Sequence, residues 1–436
     1  MKGNIIKSVI ARQVYDSRSN PTVEVDILLE DGTIGRGIAP SGASKGRFEA
    51  LELRDGNKDR LNGKSVFKAI GHIKNIIAPH LYGMDVTDQE AIDQILISID
   101  GTENKSKLGA NAILAVSMAV AWAGANVNRM PLFQYLGGDS ARLVPTPMIQ
   151  IIGGGAHANQ AIDLQDFLVI PINSTTFSEG YEMVVNVYHG TKKIFNELGK
   201  PLGIADEGGL WPTDFVSNEE GLELLMRGIE AAGYVPGDDI AIALDIASSE
   251  FYHPEIKKYV FNLENRLFTS EEFVEYLCDI QKKYPVISIE DGMAEEDWEG
   301  HQQLSERLNH KVQLIGDDLF TTNIKRIEKG VKSRINNAVL IKMNQIGTLT
   351  ETLEVIKYTQ ESGYLPVISA RSGETEDTTI THLAVATNAG QLKVGSVART
   401  DRTVKWNEAI RIEEKLGEKA EYLGKHIFDQ IKKTEQ

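Results

Sequence analysis

Six β-rich apolar runs in the second half of this chain each end on a charged or polar residue. IAIALD ends at Asp245, VISIED at Glu290 and Asp291, and QLIGDD at Asp317 and Asp318. VLIK ends at Lys342, PVISARS at Arg371 and Ser372, and QLK at Lys393. Most of the intervals between these ends fit one helix plus one strand. A parallel βα barrel carries its strand C-termini on one face, so the six ends should converge on a single mouth. Three carboxylates, two lysines and an arginine in one cavity suit metal-assisted acid–base chemistry better than they suit structure.

Composition narrows the partners. A chain of 436 residues should hold two domains, or a large one with an appendage. The net charge of −16 argues against nucleic acid or an anionic membrane as the main partner. A phosphorylated substrate stays open, because local cations can reverse the field inside one cleft. The single cysteine, Cys278, sits in a helical pattern and is expected to be packed, which suits a reducing compartment. The opening residues lack a signal-peptide stretch, and no window is expected to reach the roughly 18 apolar residues of a membrane span. The expected location is cytoplasmic.

Residues 4–12 and 22–30 alternate with the two-residue period of strands, and Asp31-Gly32 makes a hairpin turn. From about 65 to 135 the pattern is helical, with a nearly all-apolar buried helix over 112–125. Leu136-Gly137-Gly138-Asp139 breaks it, and Pro145 and Pro147 open a new segment, which places a domain boundary between 137 and 138. Beyond it, strand-like runs alternate with helical stretches at 271–283, 323–333, 349–361 and 376–389, the pattern of an α/β fold with a parallel sheet. Residues 406–433 read as one or two charged amphipathic helices.

A single acid after a strand is commonly a helix cap or a solvated loop residue. Three in succession, Asp245, Glu290 and Asp317, point instead to a metal site. Oxygen ligands without His or Cys favour Mg²⁺ over zinc. The neighbours Asp291 and Asp318 are expected to support or cap. Lys342 and Lys393 end strands beside these acids; a second cation and a divalent metal should lower a lysine's pKa toward that of a useful base. One lysine is then a general base and the other a carboxylate binder, the alternative being a structural salt bridge from each. SGASKGRFEALELRD (41–55) and IIGGGAHANQ (151–160) are small-residue loops able to meet an anion or close as lids, unless they are plain turns. DEGG (206–209) sets Asp206 and Glu207 on a tight turn, and Arg371-Ser372 offers a guanidinium fork and a hydroxyl to a phosphate.

Together these stretches resemble the enolase family. ARQVYDSRSNPTVEVD (11–26), SGAS with ELRD, DEGG, LDIASSEFY (244–252), SIEDGMAEEDW (288–298), GDDLFTTN (316–323), LIKMNQIGTLTETL (340–353) and RSGETED (371–377) carry the resemblance over nearly the whole length. It implies an N-terminal α+β domain over 1–137 and a modified TIM-type (β/α)8 barrel over 138–436 whose first units depart from simple βα order. It further implies a homodimer, two Mg²⁺ ions per active site, and a stepwise lyase reaction through an enolate, between 2-phosphoglycerate and phosphoenolpyruvate. Residue by residue, Asp245, Glu290 and Asp317 match ligands of the first metal. Lys342 matches the base at C2, Lys393 the carboxylate binder, and Glu207 the acid at the C3 hydroxyl. Arg371 and Ser372 match phosphate ligands, Ser41 the loop ligand of the second metal, and His157 the lid histidine.

The chain also departs from the family pattern. Ser-His-Arg-Ser-Gly is here Ser369-Ala370-Arg371-Ser372-Gly373, and Gln-Glu-Phe is Gln165-Asp166-Phe167. Lys45 replaces the threonine after SGAS, adding a cation near the substrate, and Gly153-Gly154-Gly155 replaces Asn-Gly-Gly. VGSVARTDR stands after Lys393 for TGAPARSER. The altered positions surround the C3 hydroxyl and the lids, while the metal ligands and both lysines are retained. Local compensation explains this, as does an altered second step with a second, nucleotide-linked substrate. Carboxyphosphonoenolpyruvate synthase of phosphonate and phosphinate biosynthesis is such a paralogue, using 2-phosphoglycerate and nucleotide-activated phosphonoformate. A catalytically silent, enolase-like binding protein is the reading from another class; it would have no need of so costly a cluster of buried charge.

Overall fold

Two-residue alternation at the start of the chain becomes an antiparallel sheet. β1 (Ile6–Tyr15) pairs with β2 (Pro21–Leu29), and β2 pairs with β3 (Ile34–Ile38) across the Asp31-Gly32 turn. The structure, a computed structural model, describes residues 3–43 and 46–433. Val23, Val25, Ile27 and Leu29 of β2 are fully buried, as is most of the helix Ala110–Val127 that packs on this sheet. Gly35 and Gly37 permit that packing: a Cβ on Gly35 would stand 2.1 Å from Ala123 N, and one on Gly37 2.6 Å from Ala115 O. The helix does reach 18 residues at spanning hydropathy, contrary to the expectation for this chain, but 83% of it is buried inside the fold. Its apolarity belongs to a core.

Eight strands then close a barrel: β4 (Thr146–Gly153), β5 (Asp166–Pro171), β6 (Ile240–Asp245), β7 (Val286–Glu290), β8 (Gln313–Gly316), β9 (Ala338–Ile341), β10 (Leu365–Ser369) and β11 (Gln391–Gly395). Neighbours follow chain order, and β11 pairs with β4 to complete the ring. β5 alone runs against both of its neighbours; the other pairings are parallel. The six runs singled out in the sequence are thus parallel, and the departure from simple βα order that the family resemblance implies for the first units falls at β5. An antiparallel pair needs no crossover helix, and β4 reaches β5 directly through residues 154–165. Its reversed direction puts the first residue of β5, Asp166, opposite the last residue of β6, Asp245.

Inside the barrel, Met148, Leu168, Ala243, Ile315, Leu340 and Val367 pack together, and Ile427 and Ile431 join them. Side chains of one strand face alternate sides, so two residues beyond each of these faces the interior again. From Ala243, Ile315 and Leu340 that step arrives at Asp245, Asp317 and Lys342. The helix expected over 376–389 is confined to Thr379–Ala386. The C-terminal region is one α-helix, Thr400–Leu416, ended by Gly417 at φ +55°, and then a 3-10 run over Gly424–Lys433. Cys278 is buried on the helix Ser270–Lys283.

Candidate active site

Lysines and carboxylates meet at the mouth. Lys393 Nζ donates to Asp245 Oδ2 at 2.7 Å and to Glu290 Oε2 at 2.6 Å. Lys342 Nζ donates to Asp317 Oδ2, while Asp317 Oδ1 accepts from Gln345 Nε2 at 2.9 Å. Asp291 shapes the turn after β8, its two oxygens accepting the backbone N–H groups of Asp317 and Asp318 at 2.9 and 2.8 Å. Burial opposes ionisation of Asp245 and Asp317, but Lys393 and Lys342 hold them below the usual carboxylate range. Glu290 is pushed well above that range by burial and by the charges of Asp245 and Asp317.

Lys342 behaves otherwise than expected. Burial disfavours its ammonium form, yet the adjacent Asp317 carboxylate outweighs burial and holds the pKa above the ordinary lysine value. A lowered value requires a cation that competes for Asp317.

At the opposite wall, His157 Nδ1 lies 3.1 Å from Asp166 Oδ1, and His157 Nε2 lies 3.9 Å from Glu207 Oε1. His157 sits in the turn Gly155–Ala158 and is buried; Glu207 stands on the turn between the short strands Leu202–Ile204 and Leu210–Pro212. Burial would lower the His157 pKa, but the two carboxylates push it up to about 9. Burial would raise that of Glu207, but His157 and Arg402 hold it down. The two carboxylates thus favour the protonated imidazole, while burial pushes the Asp166 carboxyl above its usual range.

A third group surrounds the Arg371–Ser372 pair. Arg371 Nη1 donates to Glu49 Oε2 at 3.0 Å and to Asn344 Oδ1 at 3.1 Å. Ser372 Oγ accepts from Ala43 N at 2.7 Å, and Ser41 and Gly373 exchange backbone hydrogen bonds of 2.9 Å. Gly42 lies against the guanidinium so closely that a Cβ would stand 1.8 Å from Nη2. The Ser41 hydroxyl is not brought to the acids: it donates to Glu52 and accepts from Arg54, both at 3.1 Å. Lys45 lies outside the described residues.

These walls enclose a narrow cavity of about 20 Å³, lined by His157, Asp166, Glu207, Lys342, Arg371 and Lys393 among others. Ala370 also lines it and contributes only a methyl group. Gly153 accommodates the Glu207 turn, since a Cβ there would stand 2.4 Å from the Ala205 methyl. The donor set fits a hard divalent cation. Its ligands are all carboxylates, Glu290 Oε1 is buried without a hydrogen-bond partner, and two ammonium groups already hold the cluster's charge. Asp291, Asp317 and Asp318 also bring carboxylate oxygens within 4.8 Å of one another.

Several contributors escape the sequence reading. Gln150 donates to Asp166 and accepts from Gly209 N; the two-residue step from Met148 would have found it. Glu49, Gln345 and Arg402 carry no local signal, because each meets its partner only through folding.

Comparison with known proteins agrees with this fold. Residues 6–136 match the family described as "Enolase, N-terminal domain", and residues 141–431 match "Enolase, C-terminal TIM barrel domain". "Enolase 1" of Desulfitobacterium hafniense (strain Y51) is 66% identical over 428 residues, 98% of each chain. With both domains matched and so similar a relative, the chain belongs to the enolase family.

Proposed function

We propose that this enolase-type lyase removes the C2 proton of 2-phosphoglycerate and expels the C3 hydroxyl to give phosphoenolpyruvate, with two Mg²⁺ ions per site. Asp245, Glu290 and Asp317 would hold Mg²⁺, which would supply positive charge against the dianion that develops on the substrate carboxylate. Lys342, in its neutral amine form, takes the C2 proton on Nζ. Lys393 holds the substrate carboxylate, and Arg371 with Ser372 holds the phosphate. Glu207 hydrogen-bonds the C3 hydroxyl, and His157 is the reservoir of the proton that leaves with it. Ser41 is assigned to the second ion on the family resemblance alone, and its hydroxyl would have to leave Glu52 and Arg54 to serve there.

The observation that carries this reading is the meeting of Lys342 and Lys393 with three strand-end carboxylates across a cavity from His157 and Glu207. NMR of 2-phosphoglycerate with enzyme and Mg²⁺ in D₂O tests it. C2 deuteration with rapid phosphoenolpyruvate formation is expected. Deuteration without elimination would redirect the second step toward another, nucleotide-linked substrate, and neither signal would leave a binding protein. Ala370→His with Asp166→Glu should speed dehydration if the departures slow it.

A cytoplasmic homodimer is part of the proposal. The outer face of the β1–β3 sheet supports it: exposed Ile10 and Ile34 flank arginines 12 and 36, which are paired with Glu24 and Asp26. Sedimentation velocity would read the oligomer, and a monomer at micromolar concentration would sink that part.

A further inference from the structure

The helix Thr400–Leu416 sends Arg402, Lys405 and Trp406 into the interior, each at most 1% exposed. Trp406 packs beside Phe177 and Tyr181, as a core side chain does. The two cations instead end on the segment that follows β10. Arg402 Nη1 donates to the carbonyls of Arg371 and Val394, both at 2.7 Å, and Nη2 donates to that of Ser372 at 2.6 Å. Lys405 Nζ donates to Thr375 O at 2.8 Å and pairs with Glu374 Oε2 at 3.1 Å. The other oxygen of Glu374 accepts Arg371 N at 2.9 Å.

So the backbone of the two residues assigned to the phosphate is gripped from behind by two buried cations on adjacent turns of one helix. Arg402 reaches further. Its Nη1 lies 4.0 Å from Glu207 Oε1, and the Glu207 carbonyl accepts Ser396 N at 2.9 Å, three residues along the chain from Lys393. Asp401 Oδ2 stands 2.8 Å from Arg402 Nε, but the other two guanidinium nitrogens are spent on neutral carbonyls. Packing a helix needs no such arrangement, and burying unneeded charge is costly. A guanidinium can hold three carbonyls in one plane; an ammonium cannot reproduce that fork.

We infer that Arg402 and Lys405 are positioning residues for the Arg371–Ser372 pair, and that Arg402 also places Glu207, so that one guanidinium sets the spacing between the two ends of the substrate. This rests on the function proposed above. Lys405 holds the phosphate segment and its own helix at Asp401 O, whereas Arg402 holds that segment and also faces the Glu207 carboxylate at 4.0 Å, so their variants should differ in kind.

The test compares Lys405→Met, Arg402→Lys, Glu207→Gln and the Arg402→Lys/Glu207→Gln double variant, all as Mg²⁺-loaded full-length enzyme. Lys405→Met should raise KM for 2-phosphoglycerate about tenfold and leave kcat within about twofold. Arg402→Lys should raise KM similarly and also lower kcat about tenfold, and that kcat loss should shrink toward nothing in the Glu207→Gln background. Unchanged KM in both single variants, or the same kcat loss in both backgrounds, would overturn the assignment. Two readouts do not need turnover: calorimetric affinity for inorganic phosphate, and amide hydrogen exchange across residues 369–377. Weaker phosphate binding and faster exchange are expected in each single cation variant, so the clamp and the proposed reaction can fail separately. Should Arg402→Lys not fold, Lys405→Met carries these readouts, and wild-type phosphate affinity with wild-type exchange there would sink the clamp.

Discussion

Burial alone would strip His157 of its charge, and only the carboxylates of Asp166 and Glu207 reverse that, pushing its pKa up to about 9. A group whose folded pKa lies above its unfolded value stabilises the fold fully below the unfolded value, about 6.5, and loses that contribution as pH rises through about 9. Scanning calorimetry should therefore show the wild-type Tm falling faster than that of His157→Gln as pH climbs from about 7 to about 10. Parallel curves would mean that His157 is neutral at this wall. Lys342 is the other decisive residue. Lys342→Ala should cut C2 deuteration by about 10²–10⁴-fold, because it removes the amine proposed as the base, which pairs with Asp317, while leaving the Arg371–Ser372 pair in place. Near-normal exchange in D₂O would assign the base elsewhere.

Among elements, β3 and β5 show how local sequence and long-range packing divide the work. In β3, Gly35 and Gly37 leave no room for a side chain under the helix Ala110–Val127. Gly37→Ala should cost about 1–3 kcal/mol in urea unfolding, since the Cβ would meet helix backbone that cannot swing aside. A cost below about 0.5 kcal/mol would show that the helix can shift. In β5 the sequence Asp-Phe-Leu-Val-Ile-Pro announces a strand but not its direction. Direction decides the chemistry: only an antiparallel β5 sets Asp166 at the mouth, where it meets His157 and Gln150.

For the whole molecule, the governing quantity is negative charge crowded at one end of a barrel. Burial, with Asp317 adding to it, pushes Asp291 up to about 8, and Glu290 is likewise held above its ordinary range. A cation that binds this cluster should stabilise the fold by mass action, about 2.7 kcal/mol when present at a hundredfold excess over Kd. Differential scanning fluorimetry should thus show Tm rising with Mg²⁺ and falling back with EDTA, and Asp317→Asn should blunt the rise. A flat response would remove the metal from the mechanism. The same crowding explains what was legible before folding. Short apolar runs and the length of a βα unit are local properties, so Asp245, Glu290, Asp317, Lys342, Arg371, Ser372 and Lys393 could be placed at strand ends from the sequence. Glu207 and His157 could be placed on a turn and a loop in the same way, and the motif resemblance then gave these residues their expected roles. Other features depend on distances between residues far apart in the chain, and only the tertiary structure decided them. They are the reversal of β5, the grip of Glu49 on Arg371, the Ser41 hydroxyl spent on Glu52, and the reach of Arg402 from one end of the site to the other. The sign of the Lys342 shift belongs with them, because a pKa is set by which charge lies nearest, and Asp317 becomes the nearest one only when β8 and β9 stand side by side.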